Sequence, residues 1–148
     1  MRKIEYIIID SDCQANDNKS VRPAVSLFRH HFTVNSEGLV ANPIDIGHTV
    51  NLIQGPIYDR DKYNKCSICI RYCGSLRPEA WLIDPNTSCK SAMQQRAALL
   101  NLLVQLRGLY PSAKILGASE LDGKELYSKN IIVSDTMNVL REELSNMP

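Results

Sequence analysis

Ile4-Glu5-Tyr6-Ile7-Ile8-Ile9, running into Asp10-Ser11-Asp12, is the stretch on which the fold turns. A short β-branched apolar run of this kind predicts a strand buried in the middle of a sheet. The polar residue at its end, Asp10, is then delivered to the edge of the sheet, where clefts form. Further strands are expected after this one in sequence. His31-Phe32-Thr33-Val34 and Leu39-Val40 flank Asn35-Ser36-Glu37-Gly38 and read as a hairpin with glycine at its turn. Ser67 to Tyr72 is a second buried-strand candidate that ends near Gly74, and Lys114-Ile115-Leu116-Gly117 is a short third one.

Helices are expected between these strands. The clearest runs from Ser91 to about Gly108. Ser91 with Gln94 reads as a capping box, Gly108 as the C-cap, and Pro111 lies beyond. Met93, Ala97, Leu100 and Val104 form one stripe, which Leu99, Leu103 and Leu106 widen into a broad apolar face. Asp135 to Leu144 predicts a closing helix, and Val21 to Arg29 a short one entered at Pro23. Asp12 to Ser20 is a polar loop. The stretch carrying Pro43, Gly47, Gly55 and Pro56 is also loop-like. Strands interleaved with helices, hairpin included, give an α/β fold with a mixed central sheet flanked by helices.

No repeat, low-complexity tract or linker interrupts the 148 residues, so one domain spanning 1–148 is the expectation. A net charge of +1 supplies no field for nucleic acid or an anionic membrane surface. No stretch has the length of a membrane span. Met1-Arg2-Lys3 is a basic start that Glu5 and Asp10 interrupt, without a small-residue cleavage site, so no signal peptide is read and a cytoplasmic location is expected. Five cysteines, an odd number, then predict free thiols in a reducing compartment.

Six segments, in order along the chain, resemble the zinc-dependent N-acetylmuramoyl-L-alanine amidases, the group that includes phage amidase lysozymes and peptidoglycan recognition proteins. Ile4 to Ile9 is similar to the group's first strand, Ile-Ile-Ile-His. The segment from His31 to Val40 resembles its Tyr-His-Tyr or Tyr-His-Phe strand and Asp-Gly-Thr-Val hairpin. Pro43-Ile44-Asp45-Ile46-Gly47-His48 is similar to the stretch that ends in Val-Gly-Ala-His. Asn64-Lys65-Cys66-Ser67-Ile68-Cys69-Ile70 resembles Asn-x-x-Ser-Ile-Gly-Val. Gln95-Arg96-Ala97-Ala98-Leu99 matches the start of the long helix, and Tyr110 to Gly117 matches Tyr-Pro-x-Ala-x-Ile-x-Gly. The resemblance implies an amidase-like, peptidoglycan recognition protein-like fold.

The same resemblance implies that the chemistry is lost. The group's three zinc ligands are two histidines and a cysteine, and their places are taken here by Asp10, Ala118 and Ile131. A catalytic zinc needs about three protein ligands and an open position for water. One carboxylate does not hold it, so no cofactor is expected although zinc belongs to the group. Without the metal, nothing lowers the pKa of a water or polarises an amide carbonyl. By position, Lys129 corresponds to the group's catalytic lysine and His30 to its assisting tyrosine. His48, Asn64 and Ser67 fall where substrate contacts are implied. The segment between Ser11 and His30 is shorter than the group usually carries, which would trim one wall of the cleft.

Each position also has a plainer account. Asp10 with Asp12 can simply cap a turn at a solvated strand end, Lys129 can be a surface lysine, and His48 an exposed loop residue. Adjacent strand residues point to opposite faces, so only one of His30 and His31 is expected to face the cleft, and alignment favours His30. Cys66-x-x-Cys69-x-x-x-Cys73 invites a metal reading, but strand periodicity puts Cys66 on the other face from Cys69 and Cys73. Buried free thiols are expected instead, with Cys13 and Cys89 as loop thiols. Three functions fit this pattern. They are a non-catalytic domain binding peptidoglycan fragments, an amidase with a site rebuilt around Asp10, His30, His48 or a cysteine, and a phage or mobile-element regulatory factor whose protein partner the sequence does not identify.

Overall fold

The computed structural model describes residues 2–11, 30–50, 60–73, 89–118 and 134–147. The loop expected at Asp12 to Ser20, the helix expected at Val21 to Arg29, and Cys13, Gly55, Pro56, Gly74, Lys129 and Ile131 all lie outside these residues. Among the described residues the chain runs β1 (Tyr6–Ser11), β2 (Phe32–Val34), β3 (Val40–Ala41), α1 (Arg60–Lys65), β4 (Ser67–Tyr72), α2 (Cys89–Leu109), β5 (Lys114–Gly117) and α3 (Ser134–Ser145). The strands form one mixed sheet in the order β3-β2-β4-β1-β5. Only the β2–β3 hairpin is antiparallel; β1 pairs in parallel with β4 and β5, and β2 with β4. This is the α/β class with a mixed sheet that the sequence implies.

The apolar run of β1 makes it a central strand. Ile7, Ile8 and Ile9 are fully buried, and alternation divides them between two apolar clusters. Ile7 and Ile9 join Ile68, Ile70, Tyr72 and Val34 of the neighbouring strands against Leu99, Leu103 and Leu106 of α2 and Met137, Leu140 and Leu144 of α3. Ile8 belongs to a smaller cluster on the opposite face, with Cys69, Val50 and Ala118, onto which Tyr6, Ile44, Tyr63 and Leu116 pack. Each such side chain contributes about 1.5–3 kcal/mol when fully buried. The strand is longer than its apolar run. Pairing continues to Ser11, so Asp10 sits within β1 opposite Arg71 rather than beyond its end.

The expected strands at 67–72 and 114–117 are found with those bounds, and the closing helix extends one residue further at each end. The long helix departs from expectation in three respects. It begins at Cys89, so Ser91 lies inside the first turn rather than at the cap, and Cys89 is helical rather than a loop thiol. Gly108 lies within it, not after it. Its buried face is also rotated from the expected stripe, since Met93 is 59% exposed and Ala97 is also exposed, while Gln95 is buried. Gln95 Nε2 donates to the carbonyls of Cys73 (2.9 Å) and Val34 (3.4 Å), the ends of β4 and β2, which is why a polar residue occupies that face. Among the described residues, the short helix α1, in a region read as loop, is the element not anticipated.

Arginines fasten the helical layer. Arg107 of α2 donates to the carbonyls of Leu144 and Met147 (2.8 and 3.2 Å), satisfying the C-terminal end of α3. Arg141 of α3 donates to the Ile115 carbonyl of edge strand β5 (2.8 Å), and Arg96 pairs with Glu143. At the other edge the hairpin turn is held by Asn35, whose Oδ1 accepts from the amides of Glu37 and Leu39 (both 2.9 Å). Gly38 has φ 86°, and a Cβ there would come within 3.0 Å of the Gln94 carbonyl oxygen on α2.

Two glycines therefore respond oppositely to the same change. Gly38→Ala meets left-handed strain and helix backbone together, and is expected to cost at least about 1–2 kcal/mol from the conformation alone. Gly108→Ala has open space around the new methyl and an ordinary helical backbone. It is expected to gain about 0.5–1 kcal/mol. Urea denaturation midpoints of the two variants check both signs.

Candidate functional site

The sheet brings together Asp10, His30 and Ala118. Parallel pairing ends at Ile9 with Gly117, so Asp10 and Ala118 each follow directly on the last paired residues of two adjacent strands. His30 comes just before β2, two strands away across β4. Its Nε2 lies 2.9 Å from Asp10 Oδ2, a contact that spans β4 on the face carrying Cys69. The His30 side chain is 4% exposed and that of Asp10 26%. With Nε2–H directed at the carboxylate, Nδ1 becomes the acceptor nitrogen of the neutral ring. That nitrogen is buried and has no hydrogen-bond partner among the described residues.

An imidazole oriented by a carboxylate is half of an acid–base apparatus, and among the described residues no activated nucleophile completes it. Ala118 is 2% exposed, carries no donor atom, and packs with Ile8, Val50 and Cys69. Cys69 is the nearest candidate nucleophile by face, but burial pushes its thiol far up, with the Asp10 charge adding to the shift. It is an inert thiol of the interior. Cys66 is half-buried rather than buried, and its thiol is also raised, first by burial and then by its hydrogen bond to Glu5. Cys73 is a buried free thiol. Among the described residues no group of three or more His, Cys, Asp and Glu side chains is placed to hold a metal ion.

The implied substrate contacts do not gather around Asp10. Ser67, fully buried at the start of β4, is paired with Tyr6, four residues before Asp10 on β1. That is roughly 13 Å along the strand. Asn64 is buried on α1, at the same far end. His48 is exposed in the turn that follows Asp45. Its side chain is exposed, whereas its carbonyl oxygen is part of the fold's framework.

That carbonyl leads to His31, whose role residue spacing did not reveal. His31 is fully buried beside His30 but serves a different set of atoms. Its Nδ1 accepts from the Cys69 amide (3.0 Å), and its Nε2 donates to the His48 carbonyl (2.6 Å). A backbone amide can only donate, so the tautomer is fixed with the proton on Nε2. Arg2 stands on the same ring at 3.2 Å and donates to the carbonyls of Lys65 (2.8 Å) and Ile46 (2.7 Å). His31 thereby joins the N-terminal segment, the end of α1, the turn at 45–48 and β4.

Comparison with known proteins adds no relative, since no protein-family model and no curated protein matches the chain. Among the described residues no helix is long and apolar enough to cross a membrane.

His31→Ala strands a buried amide and a part-buried carbonyl, and is expected to cost about 2–4 kcal/mol in urea denaturation. The native protein should also show the signature of a histidine kept neutral. Burial is the chief cause holding the His31 pKa below its ordinary 6.5, with the Arg2 charge contributing in the same direction. As pH falls below 6.5 the unfolded chain takes up a proton there before the native chain does, so stability drops from about pH 6.5 downward and is fully present above it. His31→Gln should flatten that slope, as measured by urea titrations between neutral and mildly acidic pH.

Proposed function

We propose that this chain is a non-catalytic amidase-like domain that binds peptidoglycan fragments in the region around Asp10, His30 and Ala118. The observation that carries this reading is the engagement of Asp10 by His30. The one zinc position that kept a ligating side chain spends it on a neighbouring imidazole, and the adjacent position, Ala118, faces an apolar cluster. The parallel β1–β5 pairing supports the resemblance, because it brings together the two positions that would have shared a metal. The sheet order and the ordered sequence segments support the finer, amidase-like fold. His48, on its exposed turn, remains a candidate for contacting a glycan or a peptide carboxylate. Lys129 retains that role by position in the sequence.

The oriented His30 ring gives one alternative a specific basis. An Asp–His pair is the kind of base a rebuilt hydrolase would use, and this version requires turnover rather than binding alone.

Retention of the purified chain on insoluble peptidoglycan, together with titration by soluble muropeptides, tests the proposal. Saturable binding is expected without release of peptide from the muramoyl group. Asp10→Ala and His30→Ala should each weaken it by about tenfold, the loss of one charge-assisted contact. Absence of binding at millimolar muropeptide would remove the ligand assignment. Cleavage that depends on His30, or one tightly bound equivalent of zinc accompanied by cleavage, would replace the binder with an enzyme.

A further inference from the structure

We propose that His31 is an acid-sensitive latch that holds the segment from Ile44 to Val50 over the sheet face carrying Cys69, and that its protonation releases this segment before the fold as a whole gives way. The proposal concerns the chain's own residues and stands whether or not the ligand is a peptidoglycan fragment.

The geometry gives the ring no tolerance for a second proton. Nε2–H is committed to the His48 carbonyl, so a proton can add only at Nδ1, where the Cys69 amide already points its own hydrogen at 3.0 Å. Protonation would turn that hydrogen bond into a facing pair of donors and place a full charge on a fully buried ring. The charged and titratable groups around the ring add up unfavourably. Arg2 lies at 3.2 Å and the neighbouring His30 also opposes a charge, against Asp45 and the hydrogen bond to the His48 carbonyl, which favour one.

What yields first is set by how the parts are attached. Cys69 belongs to β4, which is paired on both sides by β1 and β2. The 44–50 segment is held by side chains and single contacts. His31 and Arg2 hold the carbonyls of His48 and Ile46, Ile44 and Val50 pack on Ile8 and Cys69, and Asn42, its amide turned so that nitrogen faces them, donates to the carbonyls of Ile44 (2.6 Å) and His31 (2.7 Å). A charged ring that loses one contact therefore shifts the segment rather than the strand. Release would uncover Cys69 and reposition His48, which rides on the same turn. The latch thus couples acidity to the shape of the sheet face beside Asp10.

Labelling of Cys69 tests this, using a dipyridyl disulfide that reacts with thiols in acid and locating the product by peptide mass spectrometry. Relative to a small-molecule thiol, Cys69 in the full chain should label about tenfold faster in acid, below the ordinary imidazole range, than at neutrality, while the far-ultraviolet circular dichroism stays unchanged. Arg2→Gln removes the opposing charge and should move the rise to higher pH. His31→Gln should abolish the pH dependence in this range. Labelling that rises only with loss of the dichroism signal would overturn the latch, as would a profile that is the same in His31→Gln. If His31→Gln fails to fold, Arg2→Gln decides, and an unmoved midpoint counts against the proposal.

Discussion

Burial of β1 on both faces, with a parallel neighbour on each side, is the constraint from which the rest of the architecture follows. A strand so enclosed has no solvent for its backbone or its side chains, so every polar group it carries must find a partner inside the protein. For the backbone that partner is β4 or β5. For the side chains the apolar run suffices until Asp10, where a carboxylate begins to emerge at the rim of the sheet. Its answer is His30, brought in from the far side of β4. The contact fixes β2 relative to β1 without a direct strand pairing between them, and it determines where a polar centre can exist on this face.

The same logic explains why two adjacent histidines have unrelated duties. His30 hydrogen-bonds a side-chain carboxylate at the rim, whereas His31 satisfies two backbone groups. Either ring is intelligible only through the atoms it meets. The pair also shows how one stretch of chain can carry the framework and the candidate site at once. The turn bearing His48 is anchored through a backbone carbonyl, so its side chain is left available at the surface while its position depends on a buried ring.

What the sequence made legible was the part governed by apolar periodicity. The β-branched runs at 67–72 and 114–117 and the α/β class follow from composition and alternation. So does the enclosed character of β1, although a two-residue polar extension of that strand does not. The misreadings occurred where a polar residue was satisfied by something distant in sequence. Apolar spacing alone points Met93 and Ala97 of α2 inward. The helix is in fact oriented by Gln95 reaching carbonyls more than twenty and sixty positions away. Gly108 looked like a terminus because helix ends favour glycine, but the helix continues to Leu109 on contacts that α3 supplies through Arg107. At the site, the parallel β1–β5 pairing sets Asp10 beside Ala118, two positions the resemblance singles out. The role of His30 as partner to Asp10 was not legible, because nothing in a linear spacing of twenty residues encodes a contact across an intervening strand.

The rim shows how a carboxylate and an apolar wall can share one end of a sheet. Several polar groups packed toward one point there would be costly to bury. Alanine at 118 avoids that cost and lets the rim extend the small apolar cluster of Ile8, Val50 and Cys69. The Asp10 carboxylate would then be an unpaired charge against an apolar wall, except that His30 meets it. The residues at 10 and 118 are therefore linked physically. An apolar residue at 118 makes a partner for Asp10 necessary, and the His30 contact makes the apolar residue tolerable. The polar demand at this end of the sheet is one that a single imidazole satisfies.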